Sequence, residues 1–114
     1  MERRSHPRYT ARDRVCVTLL PDAGNSSETE TFYCTTEDLS ANGLRFSSDV
    51  PFKSGQALSM LVVRGSAYWG FSLKGRVAWV EKTPQESRLL IGVEFTDVPR
   101  QARIAWQEAI ERKW

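Results

Sequence analysis

Six consecutive residues, Asp38-Leu39-Ser40-Ala41-Asn42-Gly43, bring together side chains suited to holding a polar ligand. In an extended segment, alternation turns Leu39 toward a core and leaves Asp38 and Ser40 together on the outer face. An ionised Asp only accepts hydrogen bonds, which matches the N1 and N2 donors of guanine, and a Ser hydroxyl can bond a base edge or a ribose hydroxyl. Gly43 permits either close backbone approach or a positive φ. Upstream, Arg4-Ser5-His6-Pro7-Arg8 sets two guanidinium groups four residues apart across a spacer stiffened by proline. Arginine can bond bidentately to guanine O6 and N7, stack on a base plane, or pair with phosphate. A carboxylate acceptor in one segment and two arginines in the other are together complementary to an anionic guanine nucleotide.

The elements that must position these residues are mostly strands. Residues 1–12 are polar, basic and aperiodic, and read as a flexible arginine-rich arm, with order beginning near Arg14 and residues 13–114 forming one domain. Val15, Val17 and Leu19 alternate with polar or small neighbours until Pro21, Asp22, Gly24 and Asn25 end the strand. Thr31 to Leu39 is β-prone and leads through the loop into a short strand with Leu44 and Phe46, so the ligand motif sits between two strands. Leu58, Met60 and Val62 mark the next strand. Tyr68 to Val80 reads as two further segments, with Gly70 and Gly75 as bends or bulges. Leu89, Ile91, Val93 and Phe95 give the clearest alternation. Asp97 can cap a helix over 98–113, in which Pro99 is tolerated in the first turn and Ala102, Trp106, Ala109 and Ile110 recur at helical spacing. The expected fold is all-β or β-rich: about six antiparallel strands closed into a small barrel, which removes unpaired edges, and a C-terminal α-helix.

Composition narrows the function classes. The 114 residues suffice for one domain, and 40% hydrophobic with 26% charged residues is ordinary for a globular chain. The net charge is only +2, but twelve of the sixteen basic residues are Arg, and Arg3, Arg4, Arg8, Arg12 and Arg14 crowd the first fourteen positions. That asymmetry points to an anionic or nucleotide partner. No apolar stretch approaches membrane-spanning length and no signal peptide heads the chain, so a cytoplasmic location without membrane insertion is expected. Cys16 and Cys34 lack CxxC spacing and read as reduced core or sheet residues. His6 stands alone, and neither a metal-ligand set nor a nucleophile and base pair is present, so no metal, no cofactor and no enzymatic activity are expected.

The conjunction Arg4xxxArg8 followed by Asp38xSer40xxGly43 resembles the PilZ domain, a bacterial family that binds cyclic di-GMP. The likeness extends over nearly the whole chain, because Gly75-Arg76-Val77-Ala78-Trp79-Val80 and Ile91-Gly92-Val93-Glu94-Phe95 resemble its later barrel strands. The resemblance implies a six-stranded barrel. It also implies that Arg4 and Arg8 grip guanine and phosphate, that Asp38 and Ser40 read a second edge, and that Gly43 shapes the loop. Arg3 carries over less directly: in the family the position before the first motif arginine bears on whether one ligand or an intercalated pair is bound. The function so implied is a cyclic di-GMP receptor that orders its arm on the ligand and signals to a protein effector in motility, adhesion or exopolysaccharide control. A homodimer is compatible with it.

Plainer readings stand beside this one. The arm alone reads as a solvated basic tail, and Asp38 and Ser40 alone as a local turn. Two rivals follow: a PilZ-like adapter that recognises protein without nucleotide, and a barrel that tracks single-stranded nucleic acid through its basic arm and aromatics, the weaker of the two. Trp69, Trp79, Trp106 and Trp114 read first as core or interface residues, with Trp79 the leading candidate for stacking.

Overall fold

The computed structural model describes residues 7–20, 30–64, 70–85 and 87–111. Among these, β1 (Tyr9–Thr10), β2 (Arg14–Leu19), β3 (Thr31–Ser40), β4 (Gly43–Ser48), β5 (Ala57–Val63), β6 (Phe71–Lys82) and β7 (Leu89–Phe95) precede one helix, α1 (Arg100–Glu111). Every pairing is antiparallel, and six strands close a ring in the order β2, β3, β4, β7, β6, β5 and back to β2. Closure gives each ring strand a neighbour on both sides, as the strand pattern of the sequence leads one to expect.

The alternating residues fill the ring. Val15 and Val17 of β2, Leu44 and Phe46 of β4, Leu58, Met60 and Val62 of β5, Leu73 and Val77 of β6, and Ile91 and Val93 of β7 are all buried in one core. Phe52 packs edge-on against Phe32 and Phe46 at centroid distances of 5.6 and 5.4 Å. The helix is anchored by Trp106, 1% exposed, which sits between Phe71 and Phe95 with both centroids at 5.5 Å. The Trp106 indole N–H donates to the Ser40 carbonyl at 2.8 Å, which satisfies the polar end of an otherwise apolar side chain. Asp97, at φ 50°, turns the chain out of β7, and the Pro99 carbonyl accepts the first helical bond from Arg103 at 2.9 Å.

Two local expectations change. Where the sequence suggests two segments, β6 is one strand of 12 residues; Gly75 lies inside it, paired with Leu58 and Phe95, and the irregularity falls at Ala78 instead. Order also begins earlier than Arg14. Tyr9 and Thr10 pair with Leu39 and Asp38 along the edge of β3 that β2 leaves free beyond Thr35. No helix among the described residues is long and apolar enough to cross a membrane.

Candidate functional site

The β3–β4 hairpin turns through Ala41 and Asn42, so Ser40 faces Gly43, Leu39 faces Leu44 and Asp38 faces Arg45. Below the turn the register shifts between Thr36 and Asp38, leaving Glu37 as the extra residue of a bulge. The bulge reverses which face each side chain occupies. Phe32 and Cys34 pack on the core and Thr36 is fully buried, and beyond the bulge Leu39 is again inward. Asp38 is thereby aimed to the outer face, opposite Arg45; re-aiming a side chain is a recurrent use of bulges.

Thr36 also secures the root of the N-terminal segment. Between β1 and β2 the chain leaves β3, and Thr36 Oγ1 bridges the gap: it accepts from the Asp13 N–H at 2.8 Å and donates to the Ala11 carbonyl at 2.7 Å. The Asp13 carboxylate in turn accepts from Arg64 Nη1 at 2.6 Å in a pair whose side chains are 10% and 7% exposed. β1 is therefore held at a defined place, and it carries Arg8 to Asp38.

At Asp38 the two motifs meet across thirty residues of sequence. Arg8 Nη1 donates to Oδ1 at 2.8 Å, and Arg45 Nη2 donates to Oδ2. One carboxylate, 6% exposed, thus stands between two guanidinium groups, which are 26% and 31% exposed. Each of those contacts is charge-assisted, the stronger class of hydrogen bond. Asp38 faces outward, as alternation leads one to expect, and is covered there by the chain's own arginines.

Ser40 is 6% exposed, and its hydroxyl donates to the Gly43 carbonyl at 3.2 Å. Gly43 resolves to one of its two readings. Its φ is not positive; instead β7 runs so close that a Cβ would overlap the Val93 carbonyl oxygen. Arg3 and Arg4 lie outside the described residues, as do His6, Trp69 and Trp114.

The outer face continues across the barrel. Arg45 pairs with Gly92 of β7, and Gly92 with Trp79 of β6. A second bulge, at Ala78 between Val77 and Trp79, turns the indole outward where strict alternation would have sent it into the core. It lies over Gly92, whose absent side chain leaves the room: a Cβ there would come within 2.6 Å of Trp79 Nε1. Asp38, Arg45, Gly92 and Trp79 thus form one row across four strands, combining a carboxylate, a guanidinium and an aromatic plane.

Beside this row lies a cleft of about 760 Å³, lined in part by Thr10, Arg12, Asp38, Arg45, Ser47 and Arg88. Among the described residues, no group of three or more His, Cys, Asp or Glu side chains is placed to hold a metal ion.

A match to the PilZ domain covers residues 2–112. The chain belongs to the PilZ domain family. Solved structures agree in fold. The inhibitor of motility MotI (DgrA) of Bacillus subtilis superposes with a TM-score of 0.75 at 16% identity, over 96% of this chain and 50% of that one. The PilZ domain of YcgR from Escherichia coli, solved with cyclic di-GMP, gives 0.71 at 19% identity over 96% and 89%. The MrkH complex with cyclic di-GMP from K. pneumonia gives 0.64 at 18% identity over 92% and 49%. This PilZ chain spans about half the length of the Bacillus protein. Among curated proteins no sequence matches.

Three residues of the site were not singled out from the sequence. Arg45 could have been: with Leu44 and Phe46 inward it must point outward, and counting back from a two-residue turn puts it opposite Asp38. Asp13 and Arg64, 51 residues apart, carry no local signal of their pairing.

Proposed function

We propose that this PilZ domain is a receptor for cyclic di-GMP that uses Arg8, Asp38 and Arg45 as its core, with Trp79 on the adjoining face and Arg3 and Arg4 from the preceding segment. The observation that carries this reading is the Arg8 to Asp38 contact at 2.8 Å, which joins the two motif segments at one point. Within the chain the carboxylate is held by two cations, Arg8 and Arg45. A guanine offering its N1 and N2 donors to Asp38 can take over part of that role, which frees a guanidinium for the phosphate or for O6 and N7. Binding is then an exchange of partners. The same anion that releases an arginine from Asp38 also receives it.

Ser40 and Gly43 act on the ligand through the hairpin that they shape, since the Ser40 hydroxyl is already bonded within it. The chain makes and breaks no bond in the nucleotide. Ordering of the residues before Arg8 on the ligand presents a new surface to a protein effector in the cytoplasm, in control of motility, adhesion or exopolysaccharide. Titration calorimetry with cyclic di-GMP tests this. Arg8→Ala and Asp38→Ala should each weaken binding at least about tenfold, the loss of one charge-assisted contact; unchanged affinity in both variants overturns the assignment.

One observation favours a second reading, an adapter that recognises protein without nucleotide: both Asp38 oxygens already have partners within the chain. On that reading Asp38→Ala lowers stability and no titration with the nucleotide produces heat.

A further inference from the structure

The cleft beside the Asp38 row contains an arginine with no counterpart in either motif. Arg88 follows the turn between β6 and β7, and its backbone is pinned: its N–H donates to the Gln85 carbonyl at 3.0 Å and its carbonyl accepts from Thr83 Oγ1 at 3.1 Å. From this fixed root the side chain crosses β7 to β4, where Nη2 donates to Ser47 Oγ at 2.8 Å. Ser47 and Leu90 are register partners, so both lie along the cleft between β4 and β7. Arg88 is half-buried, and among the described residues no carboxylate pairs with it.

A guanidinium carries five N–H donors and no acceptor, and the donors of Arg88 are not closed off from water. A neutral hydroxyl satisfies one of them. Arg12 lines the same cleft; its side chain is 76% exposed and lies 3.8 Å from the Glu37 carboxylate. A forked cation that is half removed from water and held by a neutral group is suited to an oxyanion with two acceptor oxygens. Asp38 and Arg45 line the cleft as well, so a ligand seated on Asp38 reaches it without leaving the protein surface.

We propose that this cleft is a second phosphate subsite of the nucleotide site, with Arg88 as its anchor and Arg12 contributing from the segment between β1 and β2. The proposal rests on the receptor reading above and adds to it a ligand-binding arginine from the opposite side of the site, on β6–β7 rather than on the N-terminal segment or the β3–β4 hairpin.

Calorimetry on the full chain with cyclic di-GMP, at low and at high salt, separates the two claims. Arg88→Ala should weaken binding about tenfold or more, with the larger deficit at low salt. Arg88→Lys, which keeps the charge and loses the fork, should fall between wild type and Arg88→Ala. Equilibrium unfolding in urea is the control: Arg88→Ala should keep a wild-type midpoint while binding falls, whereas a midpoint lowered enough to account for the lost binding makes Arg88 a support of the fold, and that result overturns the subsite. Wild-type affinity in Arg88→Ala, within about twofold, also overturns it while leaving the receptor reading intact. A wild-type chain that gives no binding overturns the receptor reading and the subsite with it.

Discussion

Thr36→Val is the substitution that most directly tests how the N-terminal segment is held. The side chain is fully buried, and valine replaces its hydroxyl by a methyl group of similar size, so no cavity forms. What is lost is the bridge, leaving the Asp13 N–H and the Ala11 carbonyl without the partners they have at 2.8 and 2.7 Å. An unsatisfied buried polar group costs about 1–3 kcal/mol. Ala11 and Asp13 are half-buried, so water recovers part of this, and the low end applies to each: about 2 kcal/mol in total. With a urea m-value near 2 kcal/mol/M, the unfolding midpoint falls by about 1 M with m unchanged. The neighbouring backbone bonds, Thr36 N–H to Asp13 carbonyl at 2.8 Å and Ala11 N–H to Glu37 carbonyl at 3.3 Å, survive the change. The barrel therefore still folds, while Arg8 is presented less firmly and cyclic di-GMP binds more weakly. Thr36→Ser is the control, since it keeps the hydroxyl and gives up only a methyl, worth about 1 kcal/mol, and its affinity should match wild type. A Thr36→Val midpoint within about 0.3 M of wild type would refute the bridge as the holding element.

Gly43→Ala should destabilise the barrel by at least about 1–3 kcal/mol, because the new Cβ meets backbone of β7 that has no rotamer to change; equilibrium unfolding with retained stability would count against a packing role for this motif glycine. Asp13→Ala removes a carboxylate from a pair with Arg64 that is almost closed to water, and should cost about 3–5 kcal/mol in the same assay. Burial, aided by Asp49, pushes the Cys34 thiol up to about 11. The folded chain thus keeps a proton that the unfolded chain releases near pH 9.0, so this contribution to stability is full below that pH and is lost as pH rises through about 11. In a Cys16→Ser background the alkylation rate of Cys34 should still be climbing between those values, and a plateau reached by pH 9.0 would contradict the burial argument.

Much of the barrel is legible in the sequence because period-two alternation is a local signal. Val15 and Val17, Leu58 to Val62, and Ile91 with Val93 declare their faces without help from the rest of the chain, and Ala102 to Ile110 do the same at helical spacing. The two bulges are not legible in this way. At Glu37 and Ala78 the alternation breaks by one residue, and only the partner strands show it: Phe46 and Arg45 on one side, Val93 and Gly92 on the other. The site depends on those breaks, since they turn Asp38 and Trp79 outward. The motif residues could be named from sequence, but not the fact that Arg8 and Arg45 both hold Asp38, nor that Ser40 and Gly43 are committed to the hairpin. Long-range contacts such as Asp13 with Arg64 depend on which strands become neighbours, and that is decided by ring closure and not by any single segment.

Ring closure has a further effect on the company this protein can keep. Fibre growth and strand exchange both start from a length of backbone whose N–H and C=O groups point into solvent. Among the described residues the only strand outside the ring is β1, two residues long and already joined to β3. A template that short cannot register an incoming strand. Among the described residues, then, each ring strand meets a neighbour on either side, and the outer face of the barrel is what it chiefly offers to another molecule.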